Sequence, residues 1–502
     1  MKKFTVISMA ALSAAMTFVG CNSTTYEPGE ETASSVAISS FSLSKDTKVL
    51  ANLDTVFFSI DLNNAQIFNA DSLPYGTPVN KLVPVIKMLD NVSKAEIKVQ
   101  RANGTDTVYN YLLSSSDSID FSNGPAYLTV ASPSGDLERT YTIKVNVHKL
   151  VSDSLMWSET ARTELPTLLA APTAQRTVKM GSKTYCLTTD TRTWAIARRE
   201  GAEGEWSNYN VEMPSGAYIS EFCASDEALY IIAGGKLHKS VDEGRSWSDT
   251  GLDVNHLYGA YGNSILYAVN NSGKWFTGMY PEGIVEEMQS GMPVTGTSQI
   301  VNFSFPLAGS VIATMTGGRD SDDILCADTW GFDGSSWTRI STVPLPAAYE
   351  GMTLVPFFVF TVSSTFEATR HSILLAFNGQ NDSDMNDKVY ISGDCGRTWR
   401  LAGSLLQLPE YFPMVANAQA FLETIVLGSR SCGEWLDFPT NYILPATAKV
   451  LPPMMPLSRA TEPVTSWDCP YIYFYGGTLK NGTLNPYIWR GTINRMTFKP
   501  II

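Results

Sequence analysis

The sequence predicts an all-β protein with two folded units behind an exported N-terminus. Three observations support this fold class: short runs that alternate apolar and polar residues, clusters of Gly, Asn, Asp and Pro between those runs, and the lack of a strong helix-length amphipathic pattern. The chain has 502 residues, too many for one ordinary core, and 44% of them are hydrophobic. We therefore expect folded domains over most of the chain rather than disorder.

The overall charge of the chain excludes one class of partner. The formal net charge is −13, and only 17% of the residues are charged. Binding to nucleic acid needs a basic face that neutralises phosphates, so we expect no nucleic-acid partner. The acidic balance is typical of a soluble surface.

The N-terminus predicts export and a lipid anchor. Lys2 and Lys3 precede an apolar run at 4–19, which is too short for a comfortable membrane span. The junction of Gly20 with Cys21 resembles a bacterial lipobox. That resemblance implies that the signal peptide 1–20 is removed and that Cys21 is lipidated, whereas the alternative is plain secretion with an incidental cysteine.

The residues after Cys21 indicate a tether. The segment 21–35 is small and polar, with Pro28 and Gly29, as in a flexible linker. By the same resemblance, Asn22 in place of an aspartate implies the outer membrane, facing either the periplasm or the cell surface. The membrane is thus an expected partner through the lipid anchor.

The first folded unit, residues 36–150, is predicted to be a small Ig-like β-sandwich. Runs such as "KAEIKVQ" and "RTYTIKVNV" alternate and are separated by turn clusters, which favours an antiparallel sandwich. The best helix candidate, at 79–92, is broken by Pro84. No catalytic constellation occurs in this unit, so we expect a spacer or an accessory binding module.

The second unit, residues 152–502, contains an internal repeat. Four stretches open with an apolar strand that ends in Gly-Gly or Asn-Gly, continue through a second strand, and close with an aromatic residue: Trp247, Trp337, Trp399 and Phe498. This pattern predicts a β-propeller, in which the glycines end an inner strand and the aromatic fills the wedge between sheets. At about 40–50 residues per blade, we expect a six- or seven-bladed ring.

Two of the repeats carry a more specific signature. They resemble the Asp-box, a turn on the outer rim of a blade, and the Gly-Gly half of the repeat resembles kelch repeats. The residues that match the Asp-box are Ser240, Asp242, Gly244 and Trp247 in one copy, and Ser392, Asp394, Gly396 and Trp399 in the other. The resemblance implies a structural role, in which the aspartate caps its own turn and the tryptophan packs between sheets. "FDGSSW", with Asp333, is a degenerate copy.

Weaker repeats account for the rest of the second unit. We expect further blades at 155–210 and 257–276, and a poorly marked one at 415–456. The strand at 153–160 is expected to complete the last blade and so close the ring.

Known enzyme and cofactor patterns are weak or lacking. Sialidases carry Asp-boxes, but their R-I-P type motif is missing around Arg192, Arg198 and Arg199, so we do not expect that activity. The four histidines are isolated, and no nucleotide-binding or nucleophile-elbow motif lies in a workable context, so we expect no metal and no cofactor. The acidic runs 319–323 and 381–387 are expected to be solvated turns rather than calcium sites.

Six scattered cysteines after Cys21 suggest buried small residues rather than a disulfide framework.

Three tryptophans outside the marked repeat positions are the candidates for stacking against a ligand: Trp194, Trp275 and Trp435.

The order of signal peptide, lipid anchor, Ig-like domain and propeller resembles that of uncharacterised lipoproteins from gut Gram-negative bacteria. We expect a non-catalytic binding lipoprotein that presents a propeller face to a glycan or protein ligand. The alternative is a polysaccharide-acting hydrolase or lyase, and a cluster of carboxylates with Arg or Tyr at the channel mouth would favour it.

Overall fold

The computed structural model describes residues 35–69, 72–148, 151, 154–304, 311–362, 368–428 and 466–494. The expected lipidated Cys21, the tether up to 34, Trp435 and Phe498 lie outside these residues. Within the described ranges, no helix has both the length and the apolar character that a membrane crossing requires. Strands are the dominant elements of the described residues, which also contain three short 3₁₀ helices at Leu53–Thr55, Ile219–Glu221 and Ser404–Leu406.

The first unit forms two sheets around one core. Its strands are β1 (Ile38–Leu43), β2 (Ser59–Asp61), β3 (Gln66–Phe68), β4 (Pro84–Met88), β5 (Lys94–Gln100), β6 (Asp106–Asn110), β7 (Ala126–Ala131) and β8 (Glu138–Lys144). β1 pairs with β4, and the other six form a sheet in the order β2-β3-β8-β7-β5-β6. Alternate residues of these strands, including Phe41, Leu128 and Tyr141, point into the shared core. Pro84 opens a strand, as its lack of a backbone N–H allows at a strand end.

The expectation of a purely antiparallel first unit was wrong in one respect. β3 and β8 pair in parallel, with Gln66 opposite Thr142. The two strands are far apart in the chain, so no hairpin constrains their relative direction. Alternation reports which face of a strand is buried, and it carries no information on which neighbour the strand pairs with.

The second unit contains the remaining strands. They are β9 (Ser154–Glu164), β10 (Ala174–Met180), β11 (Lys183–Thr189), β12 (Trp194–Glu200), β13 (Ser207–Val211), β14 (Cys223–Ala224), β15 (Leu229–Ala233), β16 (Lys236–Ser240), β17 (Ser248–Asp253), β18 (His256–Tyr261), β19 (Ser264–Asn271), β20 (Lys274–Tyr280), β21 (Gly283–Glu287), β22 (Val301–Ser304), β23 (Val311–Thr316), β24 (Thr329–Phe332), β25 (Trp337–Arg339), β26 (Thr353–Val362), β27 (Ala368–Phe377), β28 (Val389–Ser392), β29 (Arg400–Leu401), β30 (Val415–Ala416), β31 (Gln419–Gly428), β32 (Ser466–Tyr475), β33 (Thr478–Leu479) and β34 (Tyr487–Asn494).

In the described part of the second unit, these strands form six four-stranded sheets. Sheets 1 to 5 are consecutive antiparallel meanders: β10–β13, β14–β17, β18–β21, β22–β25 and β26–β29. Sheet 6 has the order β31-β32-β34-β9, and β30 pairs separately with β33. First strands touch between sheets 1 and 2, 2 and 3, 4 and 5, and 5 and 6, and β31 of sheet 6 also touches β10 of sheet 1. Between sheets 3 and 4, Asn302 of β22 donates to the carbonyl oxygen of Ala260 of β18 at 3.4 Å. The first strands therefore surround a common centre.

The ring is closed by the N-terminal strand of the unit. β9 pairs antiparallel with β34, from Ser154 opposite Asn494 to Glu164 opposite Tyr487. This confirms the expectation that the strand near 153–160 completes the last blade. Trp157 of β9 is buried in the core between sheets 5 and 6, with its ring 4.3 Å from that of Phe412. Closing the ring with the two ends of one chain removes a free sheet edge.

The repeated glycine steps end inner strands of the sheets. The Gly-Gly and Asn-Gly steps follow β15, β23, β27 and β32, each the second strand of its sheet. The physical reason for glycine is close backbone approach, because a Cβ on Gly318 would lie 2.6 Å from the carbonyl oxygen of Thr295.

The weak repeat predicted at 415–456 is described only in part. Residues 415–428 supply β30 and β31, the latter being the first strand of sheet 6, and residues 429–456 lie outside the described residues.

Candidate ligand-binding site

A cavity of about 540 Å³ lies at the centre of the ring. We call it the channel cavity. Its walls come from the first strands of sheets 1, 2, 3 and 6 and from the start of sheet 4. The side chains that carry its chemistry are Arg176, Lys179, Asp226, Tyr261, Gln299, Asn302, Gln419 and Phe421. A volume of this size falls within the range of about 300–1,000 Å³ typical of small-ligand pockets.

Two glutamines tie the walls of the cavity together. Gln299 donates from Nε2 to the carbonyl oxygen of Ala420 at 2.5 Å and accepts from its backbone N–H at 3.1 Å. Gln419 accepts from the backbone N–H of Thr177 at 2.8 Å. Gln419 thus joins the adjacent sheets 6 and 1, and Gln299, in the segment before β22, joins the start of sheet 4 to sheet 6. Both amides are held by protein partners, so they rigidify the cavity rather than offer free groups to a ligand.

The cavity extends toward one end of the ring. Asp226, Gly262 and Val311 all line it, and each lies at the hairpin that joins the first strand of its sheet to the second. The Gly-Gly and Asn-Gly turns join second strands to third strands and so lie at the opposite end. Any ligand of the cavity would thus enter from the end of the first hairpins.

Arg176 is the most unusual side chain in the lining. It is half-buried on β10, and its Nε donates to the carbonyl oxygen of Phe222 at 3.0 Å. Burial lowers the pKa of its guanidinium, although the negative charge of nearby Glu221 opposes that shift. A partly desolvated guanidinium at the wall of a channel is an electrostatic site for an anion.

Lys179, three residues after Arg176 on β10, is already paired with a carboxylate. Its Nζ lies 3.1 Å from Oε1 of Glu423 on β31, a carboxylate whose side chain is only 5% exposed. Glu423 also lies 3.5 Å from Arg199, and Arg199 donates to the hydroxyl of Tyr475 at 2.9 Å. This group, which we call the seam cluster, joins sheet 1 to sheet 6 where the ring closes.

Aromatic and amide groups make up the remaining chemistry of the cavity. Tyr261 donates its hydroxyl to the carbonyl oxygens of Val311 at 3.1 Å or Asp333 at 3.2 Å, which fixes its ring at the cavity rim. Phe421 is partly exposed and Asn302 is exposed. Aromatic rings with adjacent amide and charged groups suit the apolar faces and hydroxyl groups of a sugar.

A buried pair of one histidine and one glutamate, His256 and Glu221, lies at the end of the first strands that is opposite the first hairpins. His256 contacts Glu221 through Nδ1 at 3.0 Å and Thr297 through Nε2 at 3.1 Å. Burial disfavours the charged form of Glu221, but the attraction of His256 and the N–H of Leu257 hold its pKa below the usual value. The pair connects the loops before sheets 2 and 4 to sheet 3. It does not line the channel cavity.

The residues of the two Asp-box matches adopt one common geometry. In the first, Asp242 accepts from the hydroxyl of Ser240 at 2.8 Å and from the backbone N–H of Ser246 at 2.9 Å. In the second, Asp394 makes the same contacts with Ser392 and Thr398 at 2.8 Å. Both turns join the third strand of a sheet to the fourth, far from the inner strands.

The glycines and tryptophans of these turns complete the pattern. Gly244 and Gly396 have φ of 85° and 90° and donate their N–H groups to the serine hydroxyls at 2.8 Å. Trp399 is buried between sheets 4 and 5 and donates from Nε1 to Thr329 at 2.8 Å. Trp247 packs less deeply between sheets 1 and 2. The arrangement is that of a capped turn with a core aromatic.

The other sequence-level candidates lie away from the cavity. Trp194 and Trp275 are partly buried against the cores between sheets 1 and 2 and between sheets 3 and 4, and neither lines the cavity. In the acidic runs, Asp320 and Asn381 cap backbone N–H groups of their own turns. Among the described residues, no group of three potential metal ligands comes together. The described cysteines carry free thiols: Cys186, Cys223, Cys326 and Cys395.

Three charged residues that line the cavity or form ion pairs between sheets were not identified from the sequence. Arg176 and Glu423 sit in runs that read as ordinary strands. Glu243 occupies a variable position of the first Asp-box match, yet its carboxylate lies 2.8 Å from Lys183 and 3.2 Å from Arg198 of sheet 1. An isolated charge in an otherwise apolar strand, such as Glu423 in "FLETIVLG", was the available signal.

Comparisons with known proteins agree with this architecture. A family model described as the DUF6242 beta propeller domain matches residues 151–501, and its companion N-terminal domain of unknown function matches residues 31–145. No curated protein matches.

Among solved structures, the extracellular domain of a protein named as a one component system, BT4673, from B. thetaiotaomicron is similar at 11% identity. The match covers 66% of this chain and 36% of that one, with a TM-score of 0.26. This chain thus spans about a third of that relative. The family models cover both units, and the chain belongs to the DUF6242 family, with its β-propeller domain at the C-terminal side.

Proposed function

We propose that this protein is an envelope-anchored, non-catalytic lipoprotein that binds a glycan in the channel cavity of its propeller. The observation that carries the proposal is the cavity itself. Its roughly 540 Å³ are bordered by first strands and lined by aromatic, amide and cationic side chains. A concave site of this kind suits a sugar better than the flat surface of a protein partner, which needs a much larger contact area.

The number of blades, the repeat types, the fold of the first unit and the lipid anchor are part of the same proposal. Six four-stranded sheets with a shared closing sheet support a six-bladed ring, and the repeated turns support kelch-like and Asp-box repeats. The two packed sheets of the first unit support an Ig-like sandwich that acts as a spacer. The lipobox resemblance at Cys21 supports an outer-membrane lipoprotein, which would hold the propeller at the cell envelope.

The lining favours binding over hydrolysis. Glycoside hydrolysis needs two carboxyl groups on either side of the scissile bond. Among the described residues that line the cavity, Asp226 is the one carboxylate, and it lies exposed at the hairpin end. Glu423 is nearby, but two cations hold it in the seam cluster.

A glycan array probed with residues 36–502 tests the proposal. We expect binding to a defined subset of oligosaccharides, and mass spectrometry after prolonged incubation should show those oligosaccharides intact. Turnover of a bound oligosaccharide would establish the polysaccharide-acting enzyme instead. A complete lack of binding across the array would contradict the glycan ligand.

A further inference from the structure

Arg176 differs from the other buried arginines of the propeller. Arg199 has Glu423 as a counter-charge, and Arg319 lies 3.1 Å from Glu350. Arg176 forms no ion pair with any described residue, and its one hydrogen bond runs from Nε to a carbonyl oxygen. Its two terminal nitrogens are not sealed from solvent and make no hydrogen bond to the described chain.

The surroundings of Arg176 do not neutralise its charge. Glu221 is close enough to influence it, but that carboxylate is already held by His256 at 3.0 Å and by the N–H of Leu257 at 2.8 Å. The carboxylate of Glu423 is likewise engaged, by Lys179 at 3.1 Å and by Arg199 at 3.5 Å. Burying a charge without a partner is costly, so an anion that completed the pair would be bound favourably.

The geometry of the unused donors indicates which anion fits. With Nε engaged by Phe222, the two terminal nitrogens form the free end of the guanidinium. They present parallel N–H groups that match two oxygens of a carboxylate or of a sulfate ester. Tyr261, Asn302 and Phe421 line the same cavity, are at least partly exposed, and offer contacts to the rest of a sugar ring.

We propose that Arg176 binds the oxyanion of an acidic sugar, a uronic carboxylate or a sulfate ester, inside the channel cavity. The proposal rests on the proposed function, because it names the class of glycan that the cavity takes. Because the formal net charge of the chain is −13, a local cation is needed for an acidic sugar to bind, and Arg176 supplies one in the cavity.

Isothermal titration calorimetry with three probes at equal ionic strength tests this proposal: glucuronic acid, N-acetylglucosamine 6-sulfate and glucose. We expect the wild-type chain to bind at least one of the two acidic sugars about tenfold or more tightly than glucose. A charge-assisted bidentate hydrogen-bonded pair is strong enough to give a difference of that size. The acidic sugar that binds identifies the oxyanion. Arg176→Gln should abolish the preference for the acidic sugar. Arg176→Lys keeps the positive charge but lacks the two parallel N–H donors of a guanidinium, so it should retain part of that preference.

Arg192→Gln is the matched control, because Arg192 is exposed in the turn between β11 and β12 at the opposite end. It should leave every affinity unchanged. Equal affinity of the wild-type chain for all three sugars, or an undiminished preference in a folded Arg176 variant, would overturn this inference while the glycan-binding function stood. No binding of any sugar, here and on the array, would overturn both.

Discussion

At the scale of single residues, the clearest physical signal is the capped turn at Asp242. Hydrogen bonds from the Ser246 side chain and backbone, and from Ser240, lower the pKa of this carboxyl to about 2, below its ordinary 3.8, although burial opposes the shift. A folded pKa below the unfolded one means that the turn contributes its stability fully above about pH 4. That contribution is lost as the pH falls from about 4 to 2.

Asp242→Asn should therefore destabilise the propeller in a pH-dependent way. We expect a loss of about 1 kcal/mol at pH 7, allowing for solvent screening, and almost no difference from wild type at pH 2. Denaturant unfolding across this pH range measures the effect. Asp322→Asn, at an exposed carboxylate that accepts no hydrogen bond in the described structure, is the control. An equal loss at both pH values would contradict the capping account.

At the scale of elements, the closing contact between sheets 1 and 6 depends on the seam cluster. Glu423 is 6% exposed and lies between the cations of Lys179 and Arg199. Replacing it by Gln leaves both cations without a counter-charge in a poorly hydrated site. Removing one partner of a buried ion pair costs about 3 kcal/mol or more.

Glu423→Gln should lower the unfolding free energy of the propeller by about that amount. The matched control is Glu287→Gln, because Glu287 pairs with Lys274 at 3.2 Å but both side chains are more than half exposed. That exposed pair should contribute less than about 1 kcal/mol. Similar losses in the two variants would show that the seam cluster does not hold the ring closed.

The elements also show how far the sequence could predict the fold. The Gly-Gly steps, the Asp-box matches and the closing strand β9 were predictable, because each depends on a local pattern or on the topology of a closed ring. The position of β31 was not, because residues 429–465 separate it from β32 and break the repeat spacing. The parallel pairing of β3 with β8 was hidden for a related reason, since alternation does not specify pairing partners.

At the scale of the whole molecule, the candidate site was the least predictable feature. Its lining comes from five sheets and spans positions from Arg176 to Phe421, and each sheet contributes only a few residues. Neither Trp194 nor Trp275 is among the lining residues, and Trp435 lies outside the described residues. The aromatic residues chosen because they lie outside the repeat positions pack between sheets instead. The space between adjacent sheets is filled by the same aromatic residue types that stack on sugars, so the sequence does not distinguish the two roles.

The whole molecule is also proposed to be held at the envelope through Cys21. Cys21→Ser should move the protein from the membrane fraction to the soluble fraction of a Gram-negative host and abolish its labelling by a fatty-acid probe, because the acyl chains are the anchor. Cys186→Ser, at a buried free thiol of the propeller, is the control and should stay in the membrane fraction. A membrane-bound, unlabelled Cys21→Ser variant would contradict lipid anchoring.

The central claim is that the channel cavity holds the ligand, and blocking the cavity tests it most directly. Asn302 is exposed and lines the cavity, so Asn302→Trp should fill part of the space without disturbing a core. Asn208→Trp, on the outermost strand of sheet 1, adds the same bulk elsewhere. Titration with an oligosaccharide from the array should show binding lost in Asn302→Trp and unchanged in Asn208→Trp. Unchanged binding in a folded Asn302→Trp variant would place the ligand elsewhere and contradict the account.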